Sequence, residues 1–144
     1  MYKLNAIILI LIICSVSCNT SKKFVQKKQM KESFVYDFKL IYYKSLLRKV
    51  YNNSQEINTI LLAEASGYGE IILSKEDFSL IDSLTKKDNE VIIKDSIDQV
   101  GRVSEGVQGK SILAFSMAKF YSKWLDGIAK ERAKIYLKER YMKE

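Results

Sequence analysis

The sequence predicts an all-α protein, a small bundle-like domain of four to five helices that follows a cleaved signal peptide. Apolar residues recur at spacings of three and four along four segments, as on the buried face of an amphipathic helix. Proline is absent from all 144 residues, so no proline interrupts a long helix. We expect a lipoprotein signal peptide over residues 1–17, a flexible tether over 18–32 and a single helical domain over 33–144.

The first apolar run, residues 6–13, is too short to cross a bilayer alone, since a spanning helix needs roughly 20 apolar residues. Lys3 precedes the run, and the small residues Ser15 and Ser17 follow it. This order of positive flank, short apolar core and small-residue site is typical of a secretory signal peptide. A strand or helix of the folded core is the competing interpretation, and the lysines that soon follow disfavour it.

Cys18 is the predicted lipid-attachment residue. Residues 15–18, Ser-Val-Ser-Cys, resemble a bacterial lipobox, although Ser15 stands where such sites usually carry Leu. Both cysteines of the chain lie in this region, so the mature domain keeps no internal disulfide. We therefore expect an exported protein in the periplasm or on a periplasm-facing membrane, anchored through acyl chains on Cys18. Ordinary cleavage after Ser17, without lipidation, is the alternative.

Residues 19–31 are polar and basic without apolar periodicity, which indicates a tether. A first helix is predicted from about residue 33 to residue 51, ended by the polar residues 52–54. Its apolar stripe consists of Val35, Phe38, Tyr42, Leu46 and Val50.

Ser54 is placed to cap a second helix, because its hydroxyl can accept from the exposed amides of the first turn. The periodic pattern predicts that this helix continues to Ile72, through a patch of small residues around Gly67 and Gly69. A break at Gly67 is the alternative, since glycine lowers helix propensity.

Residues 74–77, Ser-Lys-Glu-Asp, form a capping-box-like start for a third helix, which we expect to end at residues 86–89. Residues 88–109 are predicted to be mixed, partly helical and exposed. Within them, residues 91–93 suit either a strand or a helix that continues through Ile97.

The last amphipathic segment is the clearest and predicts one long helix. Its apolar face begins at Leu113 and Met117 and continues through Leu125 and Ile128 to Leu137. Gly127 is a candidate bend in this helix.

The composition disfavours an enzyme. Histidine is absent, and the mature chain keeps no thiol beyond Cys18, which excludes Ser-His-Asp and Cys-His catalysis and zinc sites built from His or Cys. The glycines near residues 67 and 106 lack the spacing of nucleotide-binding loops. We expect no catalysis, no cofactor and no metal, although paired carboxylates remain able to transfer protons.

Charge is unevenly distributed along the chain. Residues 22–51 hold nine basic and two acidic residues, residues 52–108 hold five and eleven, and residues 119–144 hold eight and four. The basic ends suit an anionic surface such as lipid, and the acidic middle suits a basic partner. Nothing in the sequence indicates nucleic-acid binding.

The last amphipathic segment also carries a family resemblance. It is similar to the closing helix of the type VI secretion amidase immunity proteins over an aromatic-x-Ser-Lys-x-Leu-Asp-x-aliphatic run, and the general layout is similar over residues 34–131. The matching residues are Phe120, Tyr121, Ser122, Lys123, Leu125, Asp126 and Ile128. Leu125 and Ile128 are expected to pack, and Lys123 is expected to pair with Asp126. The cysteines found in the first and last helices of that family are absent here.

The resemblance implies a periplasmic protein that blocks a peptidoglycan-cleaving amidase with a protruding segment, and proteins of that family are often dimeric. Such a protein performs no chemistry of its own. Five acidic residues of the middle region are the candidate contacts with such a basic cell-wall enzyme: Asp88, Glu90, Asp95, Asp98 and Glu105. The alternative function is a helical envelope lipoprotein with a structural, assembly or adhesion role.

Overall fold

The computed structural model describes residues 2–64, 66, 72–98 and 109–142, with side chains from residue 23 onward. Five helices and no strand occur in these ranges, which confirms the all-α prediction. The helices are α1 (Tyr2–Val50), α2 (Gln55–Ala63), α3 (Lys75–Asp98), α4 (Ile112–Phe120) and α5 (Lys123–Tyr141). None of the described helices is long and apolar enough to cross a membrane.

The central element is α1, against which all four other helices pack. It buries one residue in every four along a single stripe, and none of the five is more than 2% exposed: Phe34, Phe38, Tyr42, Leu46 and Val50. Residues four apart share one face of a helix, so the stripe follows directly from the spacing. Each large apolar side chain buried in this way contributes roughly 1.5–3 kcal/mol.

The chain folds back so that α4 and α5 run antiparallel to α1. The Lys110 ammonium donates to the Val50 carbonyl at 3.2 Å, near the start of α4. At the other end, the rings of Phe34 and Tyr136 lie 5.2 Å apart. Small residues of α5, Ala129 and Ala133, are fully buried and let the helix approach α1 closely.

Residues 18–32, predicted as a flexible tether, have a helical backbone within α1. The segment contains no proline or glycine and several good helix formers, including Lys, Gln and Met. It also contacts α5, since the Lys27 ammonium lies 5.3 Å from the centre of the Tyr141 ring. The backbone of Cys18 belongs to the same helix, and its side chain lies outside the described ranges.

The prediction for α2 was right at its start and wrong at its end. Ser54 accepts a hydrogen bond from the Ile57 amide at 3.3 Å, as expected of the cap. The helix ends at Ala63 and does not continue to Ile72, because Glu64 is extended and its carboxylate accepts from the Ser66 amide at 3.0 Å. The glycines of the small-residue patch lie outside the described residues.

The capping box of α3 is confirmed. The Asp77 amide donates to the Ser74 hydroxyl at 3.3 Å, and the Ser74 amide donates to the Asp77 carboxylate at 2.9 Å. The helix continues to Asp98, so the mixed structure predicted for residues 88–98 is wrong, and residues 99–108 lie outside the described ranges. Asp88 and Ile92 are both buried and extend the helix's contact with the core.

The single last helix that we predicted is in fact two. The break falls at residues 121–122, where the Ser122 hydroxyl accepts from the Leu125 amide at 3.1 Å and donates to the Lys119 carbonyl at 2.7 Å. Ser122 thereby closes α4 and caps α5. Gly127, the candidate bend, lies inside α5.

Gly127 gives a test of helix propensity. A Cβ atom at this position would meet nothing within 4 Å, so Gly127→Ala should stabilise the fold by about 0.5–1 kcal/mol. Gly109→Ala is the matched control, because Gly109 also has open space but adopts a φ of +137° that alanine disfavours. Urea unfolding should show Gly127→Ala above and Gly109→Ala below the wild type. Destabilisation by Gly127→Ala would contradict the placement of this residue.

Candidate functional site

Asp88 is the centre of a buried polar cluster that joins three helices. The Tyr42 hydroxyl of α1 donates to one oxygen of its carboxylate, and the Lys119 ammonium of α4 lies 2.8 Å from the other. Asp88 is only 6% exposed. A carboxylate at this depth requires partners on both oxygens, because burial of an unpaired charge is costly.

Aromatic rings complete the surroundings of Lys119. Its ammonium lies 4.6 Å from the centre of the Trp124 ring and 5.3 Å from that of Phe115. These distances suit cation–π attraction, which strengthens when the cation is partly removed from water. Burial raises the pKa of Tyr42 well above its usual value, and the hydrogen bond and the negative charge of Asp88 raise it further.

A second buried ion pair joins α3 to α5. The Arg132 guanidinium lies 2.5 Å from Asp77, whose side chain is 3% exposed. Asp77 is also the carboxylate of the α3 capping box, so one side chain both starts the helix and fixes it to its neighbour. At the adjacent position, the hydrogen bond with Ser74 lowers the pKa of the exposed Glu76.

Both clusters hold their carboxylates in place. Both carboxylate oxygens of Asp88 accept hydrogen bonds, and the Asp77 carboxylate accepts from Arg132 and from the Ser74 amide. Among the described residues, no group of three or more acidic or cysteine side chains is arranged to hold a metal ion. Through these contacts the two carboxylates position α3 against α1, α4 and α5.

Asp88 was predicted to contact a partner, and the structure corrects this prediction. Its carboxylate is buried and paired within the domain, so it is not part of the accessible surface. The sequence carried a signal for this, because Asp88 lies seven residues after Ile81 and four before Ile92, on the buried face of α3. No sequence pattern indicated that Tyr42 and Lys119 bind a carboxylate, because Asp88 is distant from both along the chain.

Three of the other predicted contact residues are exposed on the last turns of α3: Glu90, Asp95 and Asp98. Glu105 lies outside the described residues. The same turns expose three apolar side chains, with fractional exposures of 51%, 38% and 64% for Val91, Ile93 and Ile97. We call residues 90–98 the α3 tip; Ile92 is its only buried residue.

The residues that resemble the immunity family form the junction of α4 and α5. Leu125 is fully buried and Ile128 packs against the core, as predicted. Asp126 pairs with Lys130 at 2.6 Å, one helical turn away, where we had expected Lys123. Phe120 contacts the ring of Tyr43 edge-on at 6.1 Å, Tyr121 is 71% exposed, and Ser122 caps α5. The motif is therefore mainly structural.

Tyr42→Phe tests the cluster at Asp88. This change removes only the hydroxyl and leaves the Asp88–Lys119 pair, so it should cost about 1.5–3 kcal/mol, as for other hydrogen bonds to charged groups. Tyr43→Phe is the matched control, since the neighbouring ring is only half-buried and makes a T-shaped contact with Phe120. It should cost less than about 0.5 kcal/mol in the same denaturant titration. Equal losses for the two variants would show that the hydroxyl of Tyr42 has no special partner.

The raised pKa of Tyr42 predicts a pH dependence of stability. Above its usual value of 10.0, Tyr42 releases its proton in the unfolded chain and keeps it in the folded one. Stability should therefore fall as the pH rises through this value, by about 1.4 kcal/mol more in the wild type than in Tyr42→Phe at about pH 11. Unfolding of the two proteins in urea between about pH 8 and about pH 11 measures the difference. Parallel losses would contradict a raised pKa.

The chain matches no described protein family, curated protein or solved structure. The resemblance to amidase immunity proteins therefore remains a likeness in layout and in one short run at the junction of α4 and α5. On the described surface, the α3 tip combines exposed apolar side chains with exposed acidic ones.

Proposed function

We propose that this chain is a non-catalytic, periplasm-facing immunity protein that binds and blocks a peptidoglycan-cleaving amidase. It acts by stoichiometric protein–protein contact. Acyl chains on Cys18 hold it at a periplasm-facing membrane, next to the peptidoglycan that such an enzyme would cleave. The observation that carries the proposal is the α3 tip, where exposed apolar side chains lie among exposed acids.

The composition of the α3 tip suits a specific protein interface. Val91 and Ile97 are more than half exposed, and apolar residues at the centre of an interface supply most of its affinity. Three acidic residues and one lysine leave the tip negatively charged. Cell-wall enzymes that act on an anionic polymer are commonly basic, so this charge would steer one towards the tip and speed its capture.

The base of the tip is held rigidly. Asp88 is fixed by Tyr42 and Lys119 immediately before the tip, and Ile92 is buried within it. A preformed helical segment loses little conformational entropy on binding, which favours tight inhibition from a small surface. The exposed side chains of the tip therefore lie on a helix that is already formed before contact, which supports a role for it in blocking an active-site groove.

The other parts of the proposal rest on the sequence. Cys18 at the end of a signal-like segment agrees with a lipid anchor. The absence of histidine, and of any mature thiol beyond Cys18, agrees with a protein that inhibits and does not catalyse. The proposal includes a possible homodimer and no nucleic-acid partner.

The double variant Ile97→Ser, Asp98→Ser tests the proposed interface. It removes the most exposed apolar residue of the tip and an adjacent charge without touching the core, so it should weaken inhibition by at least about tenfold. Leu62→Ser, Glu56→Ser is the matched control, because Leu62 is 78% exposed and Glu56 is exposed on α2. Inhibition of the amidase encoded beside this chain, measured by titration against peptidoglycan hydrolysis, gives the comparison.

Two results would overturn the proposal. The first would come from a cell that lacks this chain. If that cell fully resists the neighbouring amidase, no protection is lost with the chain. The second is equal inhibition by wild type and the tip variant, which would remove the α3 tip from the interface. If no amidase is encoded nearby and loss of the chain weakens the envelope, the alternative role as an envelope lipoprotein is supported.

A further inference from the structure

A groove of about 630 Å³ lies between the middle of α1, residues 24–31, and the end of α5. The two helices run antiparallel, so this part of α1 faces residues 134–142. Five lysines line the groove: Lys27, Lys28, Lys31, Lys134 and Lys138. No acidic side chain of the described residues lines it.

The floor and one end of the groove are apolar. Leu137 is buried at its base, whereas Phe24 and Met142, which the antiparallel packing places at the same end, are 72% and 68% exposed. The Tyr141 ring also lines the groove and lies beneath the Lys27 ammonium. Lysine stems can cover such a floor while their ammonium groups remain in water, which gives an amphipathic surface.

The positive charge extends around α1. A second cleft, of about 570 Å³, shares Lys28 and Lys31 with the groove and adds Lys39 and Lys130, and these four lysines outnumber its two acidic residues, Glu32 and Asp126. Lys28 lies 4.0 Å from Glu32 and Lys134 lies 2.6 Å from Glu131, but all four side chains are more than half exposed. Exposed pairs of this kind are weak and screened by salt, so they would yield readily to a stronger anion.

We propose that this groove docks the folded domain onto a bilayer of anionic phospholipid, independently of the amidase and of the acyl anchor. The lysines contact lipid phosphates, and Phe24 and Met142 enter the boundary between headgroups and acyl chains. Charge complementarity and the exposed apolar end together favour a bilayer, because a soluble polyanion would satisfy the lysines and leave the apolar side chains in water.

The course of α1 supports the same occupant. Cys18 precedes Phe24 by six residues in one continuous helix, which is roughly 9 Å along the axis. The apolar run at residues 6–13 lies further in the same direction. The groove therefore begins close to the predicted point of attachment along α1.

Vesicle binding tests the proposal with the full chain carrying Cys18→Ser, so that no acyl chain contributes. The groove variant is Lys27→Gln, Lys31→Gln, Lys134→Gln, Lys138→Gln. The control has the same net charge but changes four exposed lysines of α3: Lys75, Lys86, Lys87 and Lys94. The readout is the binding to phosphatidylglycerol-containing vesicles divided by the binding to pure phosphatidylcholine vesicles. The apolar run at residues 6–13 contributes to both, so the ratio removes its effect.

The groove variant should lose this preference by at least about tenfold, and the control by less than about threefold, since each lysine near an anionic surface contributes roughly fivefold. Thermal unfolding of each variant should match that of the parent, as the changed side chains lie on the surface. Equal losses in the two variants would show that only net charge matters, and no preference for anionic vesicles would remove the membrane as the occupant. Either result overturns the proposal.

Fluorescence provides a second, orientation-dependent test. The chain has one tryptophan, Trp124, at the start of α5, roughly 20 Å along the helix from Leu137 in the groove. Brominated anionic lipid should quench a tryptophan placed at position 24 (Phe24→Trp in a Trp124→Phe chain) more strongly than Trp124 itself. Stronger quenching of Trp124 would mean that another face meets the bilayer.

Discussion

The buried stripe of α1 is the constraint on which the rest of the structure depends. Its residues recur every fourth position from Phe34 to Val50, and each of the other four helices packs against α1. Among the described residues, the other helices pack mainly against α1, and their clearest contact with one another is the short one between the consecutive helices α4 and α5. The domain is therefore organised around one long helix, and a change within the stripe affects several interfaces at once.

Polar contacts place α3 where apolar packing alone would leave its position less defined. Asp77 pairs with Arg132 of α5, and Asp88 pairs with Lys119 of α4, so two ion pairs fix two points along one helix. Buried ion pairs often contribute little net stability, but removal of one partner costs about 3–5 kcal/mol because the other charge is left buried. This asymmetry penalises any shift of α3 that separates the pairs, and it makes the direction of the α3 tip a fixed property of the fold.

Local rules predicted the parts of the fold that depend on local interactions. The caps at Ser54 and Ser74 were correct because each hydroxyl needs only its own first turn. The break at Ser122 was missed because an apolar face continues across it, and serine is tolerated both within and at the start of a helix. Among the site residues, the exposed acids of the α3 tip were identified from charge, whereas the burial of Asp88 depends on Tyr42 and Lys119, which are distant in sequence. Patterns within one segment carry no direct information about such partners.

The two proposed surfaces carry opposite charges, since the groove is lined by lysines and the α3 tip exposes acidic side chains. The first turn of α3 lies beside α5 at Arg132, near the end that carries the lysine groove, and the helix then passes α4 at Lys119 before the tip begins. From Asp77 to Val91 the helix advances roughly 21 Å, which is more than two Debye lengths at physiological salt. An anionic bilayer at the groove would therefore repel the acidic tip only weakly. The negative charge of the tip would likewise leave the attraction between the bilayer and the lysines intact. Because the groove belongs to α1 and α5 and the tip belongs to α3, docking through the groove would not use the residues of the tip.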